Sequence, residues 1–131
     1  MKCLIVEDNV YDGKLLKQML QKYCHCDIVD NGTRAVTIYR QSRENGVPYD
    51  VVFLDIMMPD MSGEAVLKEI RDWETRNLAL SERVKIVMAT SKIDTDTIVE
   101  SFDNGAQYFL MKPYDKNELE ELIQYFDFDV D

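Results

Sequence analysis

Val51-Val52-Phe53-Leu54-Asp55-Ile56-Met57-Met58-Pro59 is the stretch that decides how this chain folds. Four apolar residues in succession, without polar alternation, describe a strand covered on both faces, the habit of parallel sheets in α/β proteins. Asp55 stops the run where a turn begins, which delivers a carboxylate to the edge of a sheet. In open α/β sheets, ligands bind just beyond the carboxyl ends of the strands. An isolated Asp in such a place is commonly a turn residue and nothing more. The ends of the other strands choose between these readings.

Outward from Asp55, strand-like runs alternate with helix-period segments five times, the pattern of a doubly wound α/β domain. Strands are expected over 2–6, 27–29, 51–54, 84–89 and 108–111. Apolar residues at helical spacing follow each one: Leu15, Leu16, Met19 and Leu20; Ala35, Ile38 and Tyr39; Val66, Leu67 and Ile70; Ile98, Val99 and Phe102; Leu119, Leu122, Ile123 and Phe126. Asp30-Asn31-Gly32 and Asn104-Gly105 mark turns, and Pro59, Gly63 and Pro113 end or redirect elements. Residues 76–83 read as a surface loop, and 127–131 as an acidic tail that frays despite its strand-like alternation.

The strand ends carry chemistry. The first ends in Glu7-Asp8, the third in Asp55, the fourth in Thr90-Ser91 and the fifth in Lys112-Pro113. If the strand order is 2-1-3-4-5, one of the two common doubly wound orders, strands one and three flank the topological switch point, and Glu7, Asp8 and Asp55 then converge. Carboxylates that close cannot all stay ionised without help, and a divalent cation is the simplest help. Hard oxygen donors without sulfur or imidazole suit Mg²⁺, which keeps waters and awaits phosphate oxygens. With the ion and Lys112 present, Asp55 remains a usable nucleophile, and carboxylates of this kind form aspartyl-phosphates.

The chain has 131 residues, 46% hydrophobic and 31% charged, which fits one domain over 1–131. No stretch reaches the apolar length of a membrane span, and Glu7-Asp8 interrupts the start too soon for a signal peptide, so a soluble cytoplasmic protein with no membrane partner is expected. Three cysteines, an odd number, argue for reduced thiols. Cys24-His25-Cys26 is set aside as a metal site, because three consecutive residues cannot wrap one tetrahedral ion; His25 receives no catalytic role. The net charge of −10 is lopsided: residues 94–131 hold two basic and eleven acidic residues, whereas 1–93 hold thirteen and fourteen. That sign disfavours nucleic acid and leaves either a solvated face or a docking surface for a basic partner. Like-charge repulsion favours a monomer, with a dimer possible.

Taken together, these residues resemble the receiver domains of two-component response regulators, over Met1 to about Phe126. The matching motifs are Glu7-Asp8, Asp55-x-x-Met58-Pro59-x-x-x-Gly63, Thr90, Gly105-Ala106, the aromatic Phe109 and Lys112-Pro113. The resemblance implies a flavodoxin-like fold of five parallel strands and five helices, here a single receiver domain with no output domain. It implies that Asp55 accepts a phosphoryl group from a sensor histidine kinase or histidine phosphotransfer protein. Mg²⁺ would be bound by Asp8, Asp55 and the backbone carbonyl of Met57, with Glu7 acting through water. Lys112 would pair with phosphoryl oxygens and steady Asp55 beforehand, and the Lys112–Pro113 bond would be cis. Thr90 would donate to the phosphoryl group, and Phe109 would follow it to remodel a binding face for an unidentified downstream protein. No enzymatic activity beyond its own phosphorylation and dephosphorylation is implied.

The chain departs from the pattern at Phe109, which replaces a tyrosine common in the family and leaves no phenolic hydroxyl for switching. Met57 and Lys92 occupy positions that in the family tune water's access to the aspartyl-phosphate. Rival readings are a docking receiver that is never phosphorylated, opposed by the complete acidic, hydroxyl and lysine set, and an Asp-nucleophile phosphatase. The latter places Asp-x-Asp after its first strand, whereas Asp55 ends the third and Met57 takes the second acidic place. A flavin module lacks its glycine- or hydroxyl-rich phosphate loop here.

Overall fold

A computed structural model of the chain describes residues 1–92 and 94–126. Strands and helices alternate as β1 (Lys2–Val6), α1 (Val10–Leu20), β2 (His25–Val29), α2 (Gly32–Glu44), β3 (Val51–Asp55), α3 (Gly63–Asn77), β4 (Lys85–Thr90), α4 (Thr95–Asp103), β5 (Tyr108–Met111) and α5 (Lys116–Tyr125). All strands are parallel, in the order β2-β1-β3-β4-β5 expected from the sequence. Every residue of central β3 is buried, as its unbroken apolar run requires, while edge strand β2 buries only Cys26 and Val29.

Side-chain alternation divides the core in two. On one face Leu4, Val6, Val52, Leu54, Ile86 and Met88 pack against α2 and α3 through Tyr39, Val66, Leu67 and Ile70. On the other, Ile5, Phe53, Val87 and Leu110 meet α1 and α5 through Leu16, Leu20, Leu119 and Leu122. Helix α4 is anchored differently: Ser101 is its one fully buried residue.

Four boundaries differ from expectation, the smallest being that of β3, which runs one residue further to include Asp55. β2 begins two residues early, because Lys2 and Cys3 pair with His25 and Cys26, a register that the polar look of that stretch concealed. β4 is displaced one residue towards its C-terminus, so Thr90 lies within the strand, opposite Met111. The stretch read as a loop over 76–83 is shorter, since α3 runs to Asn77 and Leu80–Glu82 make a 3₁₀ turn. The tail at 127–131 lies outside the described residues.

Arg71 and Glu74, on the inner face of α3, are buried together. Arg71 donates to Glu74 Oε1 at 2.6 Å, to the Val84 carbonyl at 2.8 Å, and to the Gly105 carbonyl at 2.8 and 3.0 Å. Glu74 Oε2 in turn accepts from the Tyr39 hydroxyl at 2.6 Å and the Val84 N–H at 2.8 Å. This network joins α2, α3, the entry to β4 and the turn into β5. Gly105 makes that turn at φ +106°, a conformation that favours glycine.

Candidate functional site

Four strand ends build one polar rim. At the end of β1 the Glu7 N–H still donates to the Val29 carbonyl at 2.9 Å, and Asn9 then caps α1 by accepting from the Asp12 N–H at 3.0 Å. So short a connection keeps Glu7 and Asp8 at the rim and brings Asp12, in the first turn of α1, beside them. Asp55 closes β3 opposite Ala89, and the Ile56 N–H donates to the Ala89 carbonyl at 2.9 Å. The chain then folds back so closely that a Cβ added to Gly63 would lie 2.3 Å from the Asp55 carbonyl oxygen and 2.9 Å from Ile56 Cα. At β5 the Lys112 N–H donates to the Thr90 carbonyl at 2.8 Å, and the Lys112–Pro113 bond is cis.

Carboxylate oxygens of Glu7, Asp8 and Asp55 all lie within 4.8 Å of one another. Glu7 and Asp55 are buried, and Asp8 is exposed. Lys112 Nζ forms ion pairs with Glu7, with Asp12 Oδ2 at 3.2 Å and with Asp55 Oδ2 at 3.5 Å. The Met57 N–H donates to Asp55 Oδ1 at 3.1 Å, while the Met57 side chain is 53% exposed. Thr90 is buried, and its hydroxyl oxygen accepts from the Lys92 N–H at 3.2 Å. Thr90, Met57, Lys92 and half-buried Phe109 line one cavity of about 250 Å³. A larger hollow of about 570 Å³, lined by Lys68, Arg71, Arg83 and Lys85 among others, lies at the far end of the sheet, away from the carboxylates.

The electrostatics of the rim are those of a crowded acidic site. Burial, and then the neighbouring Asp55 carboxylate, push Glu7 up to about 7 against the opposing pull of Lys112. Burial by itself would lower Lys112, but its hydrogen bond to Glu7 and the field of Tyr114, Asp55 and Glu7 hold it above the usual lysine value. Tyr114 is raised above an ordinary phenol by burial. Three carboxylates thus share one ammonium and Asp8 adds a fourth beside them, leaving an excess of negative charge that a cation would offset.

The donor set fits Mg²⁺. Oxygens bound cis to one octahedral ion stand on the order of 3 Å apart, so a cluster spanning 4.8 Å accommodates two direct carboxylates with water between the ion and a third. Among the described residues, no thiol or imidazole belongs to this group.

All of the candidates read from the sequence, Glu7, Asp8, Asp55, Met57, Thr90, Phe109 and Lys112, meet at this rim. One pairing differs from expectation. Lys112 engages Glu7 more closely than Asp55, because the longer Glu side chain reaches across from β1 into the same buried space. Asp12 was missed; its signal is a position one helical turn beyond Asp8, just inside the capped start of α1.

A sequence model described as the response regulator receiver domain matches residues 3–124. Hybrid signal transduction histidine kinase L of Dictyostelium discoideum is 37% identical over 94% of this chain and 7% of its own length. The chain spans from 7% to 47% of the length of such curated relatives. Among solved structures, the complex of the Saccharomyces cerevisiae phosphotransfer protein Ypd1 with the receiver domain of Ssk1 matches at a TM-score of 0.84 and 27% identity, over 96% of this chain and 88% of that one. The receiver domain of the Arabidopsis thaliana histidine kinase CKI1, complexed with Mg²⁺ and BeF₃⁻, matches at a TM-score of 0.81 and 25% identity, over 96% and 89%. With its motifs on successive strand ends and the family pattern matched almost from end to end, the chain belongs to the response regulator receiver domains of two-component signalling.

Proposed function

We propose that Asp55 accepts a phosphoryl group from a phosphohistidine on a sensor histidine kinase or histidine phosphotransfer protein, and that the phosphorylated chain signals by binding a downstream protein. The observation that carries this reading is the convergence of Asp55 with two further carboxylates, a lysine and a threonine from four different connections. Among relatives of the fold, one is solved with a phosphotransfer protein and another with Mg²⁺ and a phosphoryl mimic. Both support a phosphorelay role.

Mg²⁺ would be held by Asp8, Asp55 and the Met57 carbonyl, with Glu7 through water. Bound there, it would supply charge neutralisation for the phosphoryl oxygens and the carboxylates. An Asp55 carboxylate oxygen forms the new O–P bond as the N–P bond of the phosphohistidine breaks. The Met57 N–H holds Asp55 Oδ1, which leaves the side chain oriented. Lys112, already 3.5 Å from Oδ2, is placed to balance charge on the incoming phosphoryl group. The Thr90 hydroxyl accepts from Lys92 and keeps its own proton free to donate to a phosphoryl oxygen.

A phosphoryl group adds charge and acceptor oxygens, so donors are drawn inward. Thr90 and Phe109 share a cavity, so motion of one changes the space open to the other. The loosely anchored α4 lies next in sequence to Thr90 and presents Val99 and Phe102, 53% and 44% exposed, among Asp96, Glu100 and Asp103. A partner face that is basic with an apolar centre complements that surface. Met57 and Lys92, both exposed at the cavity, govern the entry of hydrolytic water.

The test is amide chemical shifts on adding Mg²⁺ with beryllofluoride. Wild type should show changes at Asp55, Thr90, Phe109 and α4, and Asp55→Asn should show none of the beryllofluoride-dependent ones. Identical spectra from the two proteins would sink the phosphoacceptor assignment.

A further inference from the structure

The three cysteines meet at the end of the sheet opposite Asp55. Cys3 on β1 and Cys26 on β2 are register partners, and Cys24 enters β2 from the turn after α1, its N–H donating to the Leu20 carbonyl at 2.9 Å. Their sulfur atoms all lie within 4.8 Å of one another, and the residues are 0%, 7% and 3% exposed for Cys3, Cys24 and Cys26. His25 faces away, exposed and 3.9 Å from Asp27. Backbone alternation thus removes the histidine of Cys24-His25-Cys26 from the cluster, and sheet pairing supplies Cys3 as the third sulfur. Leu16, Leu20, Ile5 and Val51 belong to the same cluster, and Met1 and Met19 pack against it. Cys26 Sγ lies 4.0 Å from the Cys24 carbonyl, a weak donor contact that spends little of the thiol's capacity.

We propose that Cys3, Cys24 and Cys26 form a three-sulfur site for a single thiophilic, trivalent ion of the arsenite class. Sulfurs at roughly 2.3 Å from a pyramidal trivalent centre stand about 3.4 Å apart, so sulfurs that already lie within 4.8 Å of one another close on it by about 1.4 Å at most. Charge selects the ion. Three thiolates around a monovalent or divalent metal leave net negative charge inside an apolar core, which is strongly disfavoured, whereas a trivalent centre closes neutral. Zinc would in addition want a fourth ligand, and His25 is turned away. The step balances without an oxidant. Three As–S bonds form and three As–O bonds of arsenous acid break; each thiol proton leaves with a hydroxyl as water, and arsenic stays trivalent.

Arsenite itself is the probe, with the chain in a thiol-free reducing buffer. Native mass spectrometry should show one arsenic per chain with the loss of three hydrogens, and the thermal unfolding midpoint should rise with arsenite concentration. The direction is diagnostic, because a ligand of the folded site raises the midpoint and capture by thiols of the unfolded chain lowers it. A lowered or unmoved midpoint overturns the proposal. Cys24→Ala, at the most exposed of the three, should abolish the rise while keeping the beryllofluoride response at Asp55; an undiminished rise in that variant also overturns it. Because the wild-type midpoint decides by itself, a variant that fails to fold leaves the test intact. The site is independent of Asp55, so its failure leaves the phosphoacceptor reading untouched.

Discussion

Gly63 shows at residue scale how a motif glycine serves a carboxylate eight positions away. Its N–H donates to the Ile56 carbonyl at 3.0 Å, and the absence of a side chain lets the start of α3 press on the backbone of Asp55 and Ile56. A methyl there would meet backbone, which cannot swing aside as a side chain can. Gly63→Ala should therefore cost about 1–3 kcal/mol in urea unfolding, the range for overpacking, and should weaken the beryllofluoride response by displacing Asp55. An unperturbed Asp55 amide with unchanged stability would refute the close-approach account. Asp55 itself was legible because it interrupts an apolar run. Asp12 was not, because an acid in the first turn of a capped helix is an ordinary favourable neighbour of the helix dipole.

Among the elements, α4 is the one held least. Asp94 caps it by accepting from the Asp96 N–H at 3.1 Å and from the Thr97 hydroxyl at 3.0 Å. Part of the C-terminal acidity is thus capping, at Asp94 and again at Asp115 of α5, rather than a free surface. Ser101, its one fully buried residue, has a hydroxyl with no hydrogen-bond partner among the described residues. An unpartnered buried hydroxyl is destabilising, and alanine is the better helix former. Ser101→Ala should raise stability by about 1 kcal/mol in chemical denaturation; a loss of stability would show that the hydroxyl is satisfied. An element tied down by so little is suited to the repositioning that the proposed phosphorylation of Asp55 calls for, since weakly anchored segments move at small cost.

At the scale of the whole molecule two long-range features stand out. The Arg71–Glu74 pair is buried within α3 and reaches Tyr39, Val84 and Gly105, so it clamps the half of the sheet that leads into α4 and β5. Glu74→Ala would leave Arg71 charged and poorly compensated, and should cost about 3–5 kcal/mol in urea unfolding; a cost within the range of an exposed ion pair would mean that water or a rearranged partner replaces Glu74. The second feature is the lopsided charge, with eleven acidic residues against two basic in 94–131. Association with a basic partner through this face should weaken steeply as salt rises, and self-association through it should be disfavoured at low salt. Light scattering across ionic strengths checks the latter, and a stable low-salt dimer through α4 and α5 would contradict it. The sequence by itself determined five strands alternating with helices and the acidic, hydroxyl and lysine positions at the strand ends, because periodicity and strand-end chemistry are local and repeat along the chain, whereas the order 2-1-3-4-5 came only with the family resemblance. It could not determine which partner Lys112 would choose, that Arg71 and Glu74 would be buried in a helix whose periodic face reads as apolar, or that Cys3 would join Cys24 and Cys26. Those outcomes depend on strand register and on which helix covers which face, and only the tertiary structure brings such distant residues within reach of one another.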